Sequence, residues 1–313
     1  VAIMDKYDLE AVPVKSTVAE VYDFIIRDIE EALPYLQENP SNVYHPSKAF
    51  GYALAAKVYL FHHDWEKAKN AAEESLKLKS DLIDYVALEN NGGPLSDNTY
   101  AKGGNPEVLN YAYMGSYSDN PTYCYGMISP ELVQLFDEND TRFTMFFRTT
   151  GNSPYYFDEG SGAALWNSSI TYSKFQYMAV GMRTAEVYLI LAEAKARLND
   201  LDGAMQALCD LRVKRIKGEE TVPPQPSTKE EMIRLVIDER RKELLFGFNR
   251  FWDLKRLNTE PEYAKTQTRR FPLVSTEVPS QTYTLAPDSR LYVIPFPKDA
   301  RTKNPNLTLN TDE

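Results

Sequence analysis

Apolar positions at Val18, Val21, Tyr22, Ile25, Ile29, Leu33 and Leu36 recur at three- and four-residue steps, the period of one helix face, and predict a helix from about Thr17 to Leu36. Thr17 followed by Glu20 forms a capping box at its start, and Pro34 in the last turn predicts that this end bends or finishes early. Helical periodicity resumes over Ser47 to Phe61 and Asp64 to Lys79, two helices joined by a tight link at His62 and His63.

That pair has a second copy downstream. A shift of 136 residues lays Tyr52, Ala56, Asp64, Ala68 and Ala71 on Tyr188, Ala192, Asp200, Ala204 and Ala207, so the chain contains an internal repeat at about 184–215. In each copy a bulky residue is followed one turn later by a small one, with alanine on the second helix. Tyr52, Ala55, Ala56, Tyr59, Ala68, Ala72 and Ser75, and then Tyr188, Leu191, Ala192, Lys195, Ala204, Leu208 and Leu211, fill the slots of a tetratricopeptide (TPR) unit. Small residues there let antiparallel helices approach closely and stack on their neighbours. Ser75 and Lys195 are degenerate slots and predict irregular units. The first helix either is half of another unit or caps the array.

Between the copies, residues 80–182 lose helical periodicity, except for a helix expected near Pro130 to Glu138, and fill with Gly, Asn, Ser, Pro and Tyr. Eleven of the 21 tyrosines lie there. Past the second copy, Pro223, Pro224 and Pro226 break the chain, and Ser227 with Glu230 or Thr228 with Glu231 caps a helix running to about Leu257. From 258 to 313 the tail is Pro- and Thr-rich, with short extended pieces near Tyr283 and from Leu291 to Pro295. The predicted fold is thus mostly α: a TPR-like helical-repeat scaffold with a long loop-rich insertion and an irregular C-terminal tail.

A net charge of −10 removes nucleic acid from the expected partners, since phosphate recognition needs clustered Lys and Arg. Cys124 and Cys209 are too few for a disulfide framework and lack zinc-site spacing. No apolar window approaches the ~18 residues a membrane-spanning helix needs.

Five stretches in order resemble the SusD/RagB family: STVAEVYDFIIRDIEEALPYL at 16–36, SKAFGYALAAKVYLFHHDWEKA at 47–68, RTAEVYLILAEAKARLNDLDGA at 183–204, IDERRKELLFGFNRFWDLKRL at 237–257 and LYVIPFPKDARTKNPNLTLN at 291–310. The R-x-AE-x-YLI-x-AEA segment and the ER-R-x-EL…R-x-x-DL-x-R segment are specific when both occur at this separation. Where the family often has F-E-G before the Arg of the second motif, this chain has Phe246, Gly247 and Phe248. The resemblance implies one SusD-like domain over 1–313, belonging to a longer chain with a lipid anchor and part of the binding surface upstream of Val1. It further implies a lipoprotein on the outer leaflet of the Gram-negative outer membrane, an oligosaccharide ligand, a SusC-like TonB-dependent transporter as partner, and no catalytic activity. Some members bind peptides, so a peptide-binding uptake protein is the alternative, beside a TPR-type protein–protein adaptor.

Sugars present apolar C–H faces and hydroxyl rims, so a glycan site needs flat rings for stacking and amides or carboxylates for the hydroxyls. Tyr111, Tyr113, Tyr117, Tyr123, Tyr125, Tyr155, Tyr156 and Trp166, interleaved with Asp119, Asn120, Asn152, Asp158 and Asn167, supply both. Trp166, Tyr155 and Tyr156 lead this set; the plainer alternative is that the rings pack the loops onto the helices. The run Asp238, Glu239, Arg240, Arg241 and Glu243 is expected to form ion pairs on a solvated helix face, with Arg250, Asp253 and Arg256 acting as a staple of the fold. His62 and His63 point to different sides of a helix and only His45 remains, so no metal is expected. Neither a nucleophile elbow, a phosphate loop nor a zinc-protease motif occurs, and no cofactor or catalytic residue is assigned.

Overall fold

The computed structural model describes residues 1–8, 10–90, 105–111, 130–146, 157–158, 163–164, 181–245, 249–271 and 278–309. Among these, the first third forms α1 (Val18–Ala32), α2 (Lys48–Phe61), α3 (Trp65–Leu78) and α4 (Tyr85–Asn90). The middle holds α5 (Pro130–Val133), α6 (Thr141–Phe146) and the two-residue strands β1 (Phe157–Asp158) and β2 (Ala163–Ala164). The last third comprises α7 (Thr184–Arg197), α8 (Leu201–Arg212), α9 (Lys229–Glu243), α10 (Asn249–Leu257), the hairpin β3 (Gln267–Phe271) and β4 (Gln281–Leu285), and α11 (Lys298–Lys303). The protein is mostly helical and TPR-like.

Local chemistry sets the helix ends. At α1 the Thr17 hydroxyl accepts from the Glu20 N–H at 3.2 Å while the Glu20 carboxylate accepts from the Thr17 N–H at 2.8 Å. Pro34 then closes the helix into a 3-10 turn, Leu33–Tyr35. Of the two caps open for α9 in the sequence, the structure uses Thr228 with Glu231.

The repeat survives at the level of single backbone angles. His63 and Asn199, 136 residues apart, both adopt left-handed conformations, at φ 64° and 66°. Beside them, the N–H groups of Asp64 and Asp200 donate to Tyr59 O and Lys195 O at 2.9 Å each. The Asp64 and Asp200 carboxylates then cap α3 and α8 by accepting from Lys67 N and Gly203 N. The small slots behave as expected, with Ala56, Ala68, Ala192 and Ala204 all fully buried. The degenerate ones find polar partners: buried Ser75 donates to Ala49 O at 2.8 Å, and Lys195 reaches Glu73 at 3.4 Å.

Helix α7 occupies the middle of the array, against α2, α3, α8 and α9, and twelve of its fourteen residues are buried. Leu189, Ile190, Leu208 and Leu211, fully buried, each stabilise the fold by about 1.5–3 kcal/mol through lost apolar exposure. A helix enclosed on every side cannot leave a charge unanswered, yet α7 carries Glu186, Glu193 and Arg197.

The expected single helix over 228–257 is corrected to two, α9 and α10. The Arg240 Nε donates to Asp253 Oδ2 at 3.1 Å, whereas thirteen residues along one unbroken helix would hold their backbones about 20 Å apart. The pair therefore requires the chain to fold back. The extended piece near Tyr283 is β4, paired so that Arg269 faces Tyr283, while 290–292 is a 3-10 turn rather than extended.

Candidate functional site

Of the candidate ligand residues, Tyr113, Tyr117, Tyr123, Tyr155, Tyr156, Trp166 and Asn167 lie outside the described residues, as do Tyr125, Asp119, Asn120 and Asn152. Asp158 stands in β1, its backbone paired with Ala163 of β2, and β2 lies against α5. Tyr111 is a correction: it is buried, meets Tyr44 edge-on at 5.5 Å and packs against Val43, so this ring joins the insertion to the connection between α1 and α2.

The insertion does not hang from the array as a free loop. Its segment 105–111 runs through the interior, Leu109 N–H donating to Met182 O at 3.0 Å and Tyr111 N–H to Val43 O at 2.9 Å. Within it Glu107 is fully buried and accepts from Arg215 Nη2 at 2.6 Å and from Arg183 Nη1 at 2.9 Å. A second root is Asp140 and Arg142, in a turn whose helix α6 the sequence pattern did not reveal. Fully buried Arg142 donates to Asp140 Oδ2 at 2.6 Å, to Glu243 Oε2 at 3.2 Å and to Glu239. Arg212 also binds Glu239, at 2.6 Å, and the guanidinium of Arg215 lies 3.9 Å from the Tyr85 ring centroid.

The run on α9 is therefore not a solvated face. Glu239, Arg240, Lys242 and Glu243 are buried, because α9 turns its charged side toward α7 and the insertion roots. Their structural use stands: Arg241–Asp238 at 3.7 Å and Lys242–Glu239 at 3.1 Å are i,i+3 pairs along the helix, and the other bonds join α9 to neighbouring elements. Removing one member of such a network leaves an uncompensated charge in a low-dielectric interior.

Among the described residues, a second group shares no hydrogen-bond or ion-pair partner with the first. Glu186 accepts from Lys57 and Arg240, Arg240 also holds Asp253, and Arg256 bridges Asp253 to Glu193. The last contact is bidentate, with Arg256 Nη1 and Nη2 at 2.6 and 2.7 Å from the two Glu193 oxygens. Arg197 adds 3.0 Å to Glu193 and stacks on Trp65 and Tyr263 at 4.4 and 4.9 Å. Of the expected staple, Arg256 ties α10 to α7 and Asp253 ties it to α9, whereas Arg250 makes no ion pair among the described residues.

Burial alone would raise these carboxyls, but the surrounding cations outweigh it. Lys57 and Arg240 hold Glu186 at about 2, Arg256 and Arg197 hold Glu193 at about 2, and Arg142 with Lys242 takes Glu239 below the usual carboxylate range. None has the pKa of a general acid or base near neutral pH. Sequence reasoning missed the partners because Glu107, Arg142, Arg212 and Arg215 lie far apart in the chain. One signal was present: Glu193 sits inside an apolar run, where a charge must be buried and answered.

Beside these networks a cleft of about 410 Å³ opens between α5, the end of α9, the start of α10 and β3. Leu132, Leu244 and Phe251 give it apolar wall; Arg240, Arg250 and Gln267 give it donors.

Comparison with known proteins accounts for this architecture. A model of the SusD family matches residues 163–312. SusD-like protein P2 of Formosa agariphila is 28% identical over 305 aligned residues, covering 82% of this chain and 59% of that protein. The chain thus spans about three-fifths of that relative's length. A SusD superfamily protein of Bacteroides thetaiotaomicron superposes with TM-score 0.72 at 21% identity, over 99% of this chain and 70% of that one. A SusD-like carbohydrate binding protein of Bacteroides vulgatus gives TM-score 0.66 at 23% identity (95% and 67%), and surface glycan-binding protein A of Bacteroides uniformis gives 0.66 at 18% (100% and 73%). With the helix-pair repeat and both motif segments in place, the chain is similar to SusD-family proteins in fold along its length, and residues 163–312 match the family's sequence model.

Proposed function

We propose that this chain is a non-enzymatic glycan-binding protein of the outer-membrane surface, which holds an oligosaccharide on its aromatic insertion and passes it to a SusC-like TonB-dependent transporter. The observation that carries the proposal is the division of labour between array and insertion. Of the eleven tyrosines in 80–182, Tyr85 and Tyr111 are buried, and the other nine belong to a segment whose roots at Glu107 and Arg142 are fixed by buried ion pairs. Preset roots reduce the ordering that a ligand must impose, which matters for a shallow, wet site where each ring contributes little. β1 pairs with β2 through Phe157 with Ala164 and Asp158 with Ala163. Similarity to the SusD family supports the saccharide class, and two of the similar solved proteins are a carbohydrate binding protein and a glycan-binding protein. Among the described residues no helix is long and apolar enough to cross a membrane, which agrees with attachment through a lipid.

Titration calorimetry with a panel of neutral oligosaccharides and unstructured peptides tests the reading. Saturable saccharide binding that falls at least tenfold in Trp166→Ala and Tyr155→Ala is expected, with no products after prolonged incubation. Binding of peptides alone would overturn the glycan assignment; saccharide turnover would overturn the non-enzymatic one. Indifference to both substitutions would place the site in the groove of the array, as in an adaptor.

A further inference from the structure

The cleft between α5, α9, α10 and β3 combines three features that none of the contacts so far explains. Arg240 is 2% exposed, and while its Nε and Nη2 hold Asp253 and Glu186, its Nη1 has no acceptor. Gln267, on the opposite wall, has a buried Nε2 that is likewise without an acceptor. Arg250, also in the wall, has no carboxylate within ion-pairing distance among the described residues. Buried donors without acceptors are costly, the more so when charged, so their gathering at one cavity calls for an occupant.

The charges around the cavity give the sign of that occupant. Four cations, Arg240, Arg241, Arg250 and Lys265, line it against two carboxylates, Glu131 and Asp253. Both carboxylates are already engaged, Glu131 by Arg241 and Lys265 and Asp253 by Arg240 and Arg256. That leaves Arg250 as positive charge in excess, in a protein whose net charge is −10. The first residues of α10, Asn249, Arg250 and Phe251, line the same wall and belong to the helix turn whose N–H groups lack intrahelical acceptors. Partial burial, with Arg241 adding repulsion, lowers Arg250 to about 10, so it stays charged at neutral pH.

We infer that this cleft binds an oxyanion, a carboxylate or sulfate group of a small ligand, through Arg250, Gln267 Nε2 and the free Nη1 of Arg240. The three groups left without acceptors are all donors, which favours an acceptor-only, negatively charged partner over a neutral hydroxyl. A cavity of about 410 Å³ has room for an acidic sugar ring as well as for a bare ion. The inference rests on the cleft alone and goes beyond the stacking of neutral sugar on the insertion; either can fail without the other.

The test is calorimetry of the whole chain with sodium sulfate and sodium glucuronate, against sodium chloride and glucose at matched ionic strength. Saturable binding of at least one of the two oxyanions, with none for chloride or glucose, is expected. Sulfate alone would identify a tetrahedral group or free ion as the occupant; glucuronate alone, or bound more tightly, would identify an acidic sugar. Arg250→Gln should weaken binding at least tenfold and Gln267→Leu several-fold. Neither residue holds an ion pair among the described residues, so both variants are expected to keep the wild-type circular dichroism. Should Arg250→Gln not fold, Gln267→Leu carries the test. Absence of saturable binding by both oxyanions, equal binding of glucose, or unchanged affinity in the folded variants would overturn the inference.

Discussion

Replacing Glu193 by glutamine keeps the shape of the side chain and removes one charge from the centre of the array. In the wild type that carboxylate, fully buried, accepts two bonds from Arg256 and is bound by Arg197 as well. The amide can accept at one oxygen only, and its NH₂ would face a guanidinium. Two routes give the size of the effect. Breaking a buried pair by removing one partner costs about 3–5 kcal/mol. Independently, the Glu193 carboxyl is lowered from 4.5 to about 2, and at about 1.4 kcal/mol per unit this is roughly 3 kcal/mol of linkage. For a chain of 313 residues, an unfolding entropy of about 2.1 cal/mol/K per residue converts that loss to a fall in Tm of roughly 5–8 °C.

The pH dependence supplies a second, sharper check. A carboxyl depressed in the folded state contributes stability that is complete above its unfolded pKa of 4.5 and is lost as pH falls toward about 2. Glutamine does not titrate, so the gap between wild type and Glu193→Gln should be widest at pH 7 and shrink steadily below pH 4.5. Urea unfolding followed by circular dichroism at pH 7, 5 and 3.5 measures it. A gap under about 1 kcal/mol at pH 7, or one that stays constant with pH, would refute the idea that paired charge holds α10 on α7.

The helix pairs were legible in the sequence because each depends on local and repeated chemistry. Asp64 and Asp200 cap, the small residues sit at the crossings, and the 136-residue offset carries over to a shared left-handed turn at His63 and Asn199. Periodicity could not show which way α9 faces. A charged stripe on a helix looks the same whether it meets water or three arginines from elsewhere, and Arg142, Arg212 and Arg215 announce themselves by no spacing at all. The break between α9 and α10 was hidden for a related reason: Arg240 and Asp253 find each other only after the chain has turned. Tyr111 illustrates the limit for the site, since a tyrosine that stacks on sugar and one that seals a loop root have the same neighbours in sequence. The donors of the cleft were likewise invisible, because an unpaired Nη1 is a property of three-dimensional company.

Other expectations test the same account. Glu193→Gln and Glu239→Gln belong to networks without a common partner, so their losses in a double variant should add within about 0.5 kcal/mol, whereas Arg142→Met and Glu239→Gln, which share a bond, should be non-additive by more than that in urea unfolding. Ser75→Ala strands the side of the Ala49 carbonyl that the hydroxyl satisfies, and a loss of about 1 kcal/mol in the same assay is expected. Thr228→Ala removes the hydroxyl half of the α9 capping box, leaving the bond from the Thr228 N–H to the Glu231 carboxylate, and should cost about 1 kcal/mol while leaving ligand binding untouched by calorimetry.

The central claim is that stacked helices give stiffness while the intervening segment makes the contact with saccharide, and hydrogen exchange read by mass spectrometry locates that contact directly. With a bound oligosaccharide at saturation, amide protection should rise in peptides covering 112–129 and 150–180 and stay unchanged in those covering α2, α3, α7 and α8. Protection confined to the faces of the paired helices, with the insertion peptides exchanging as before, would contradict it.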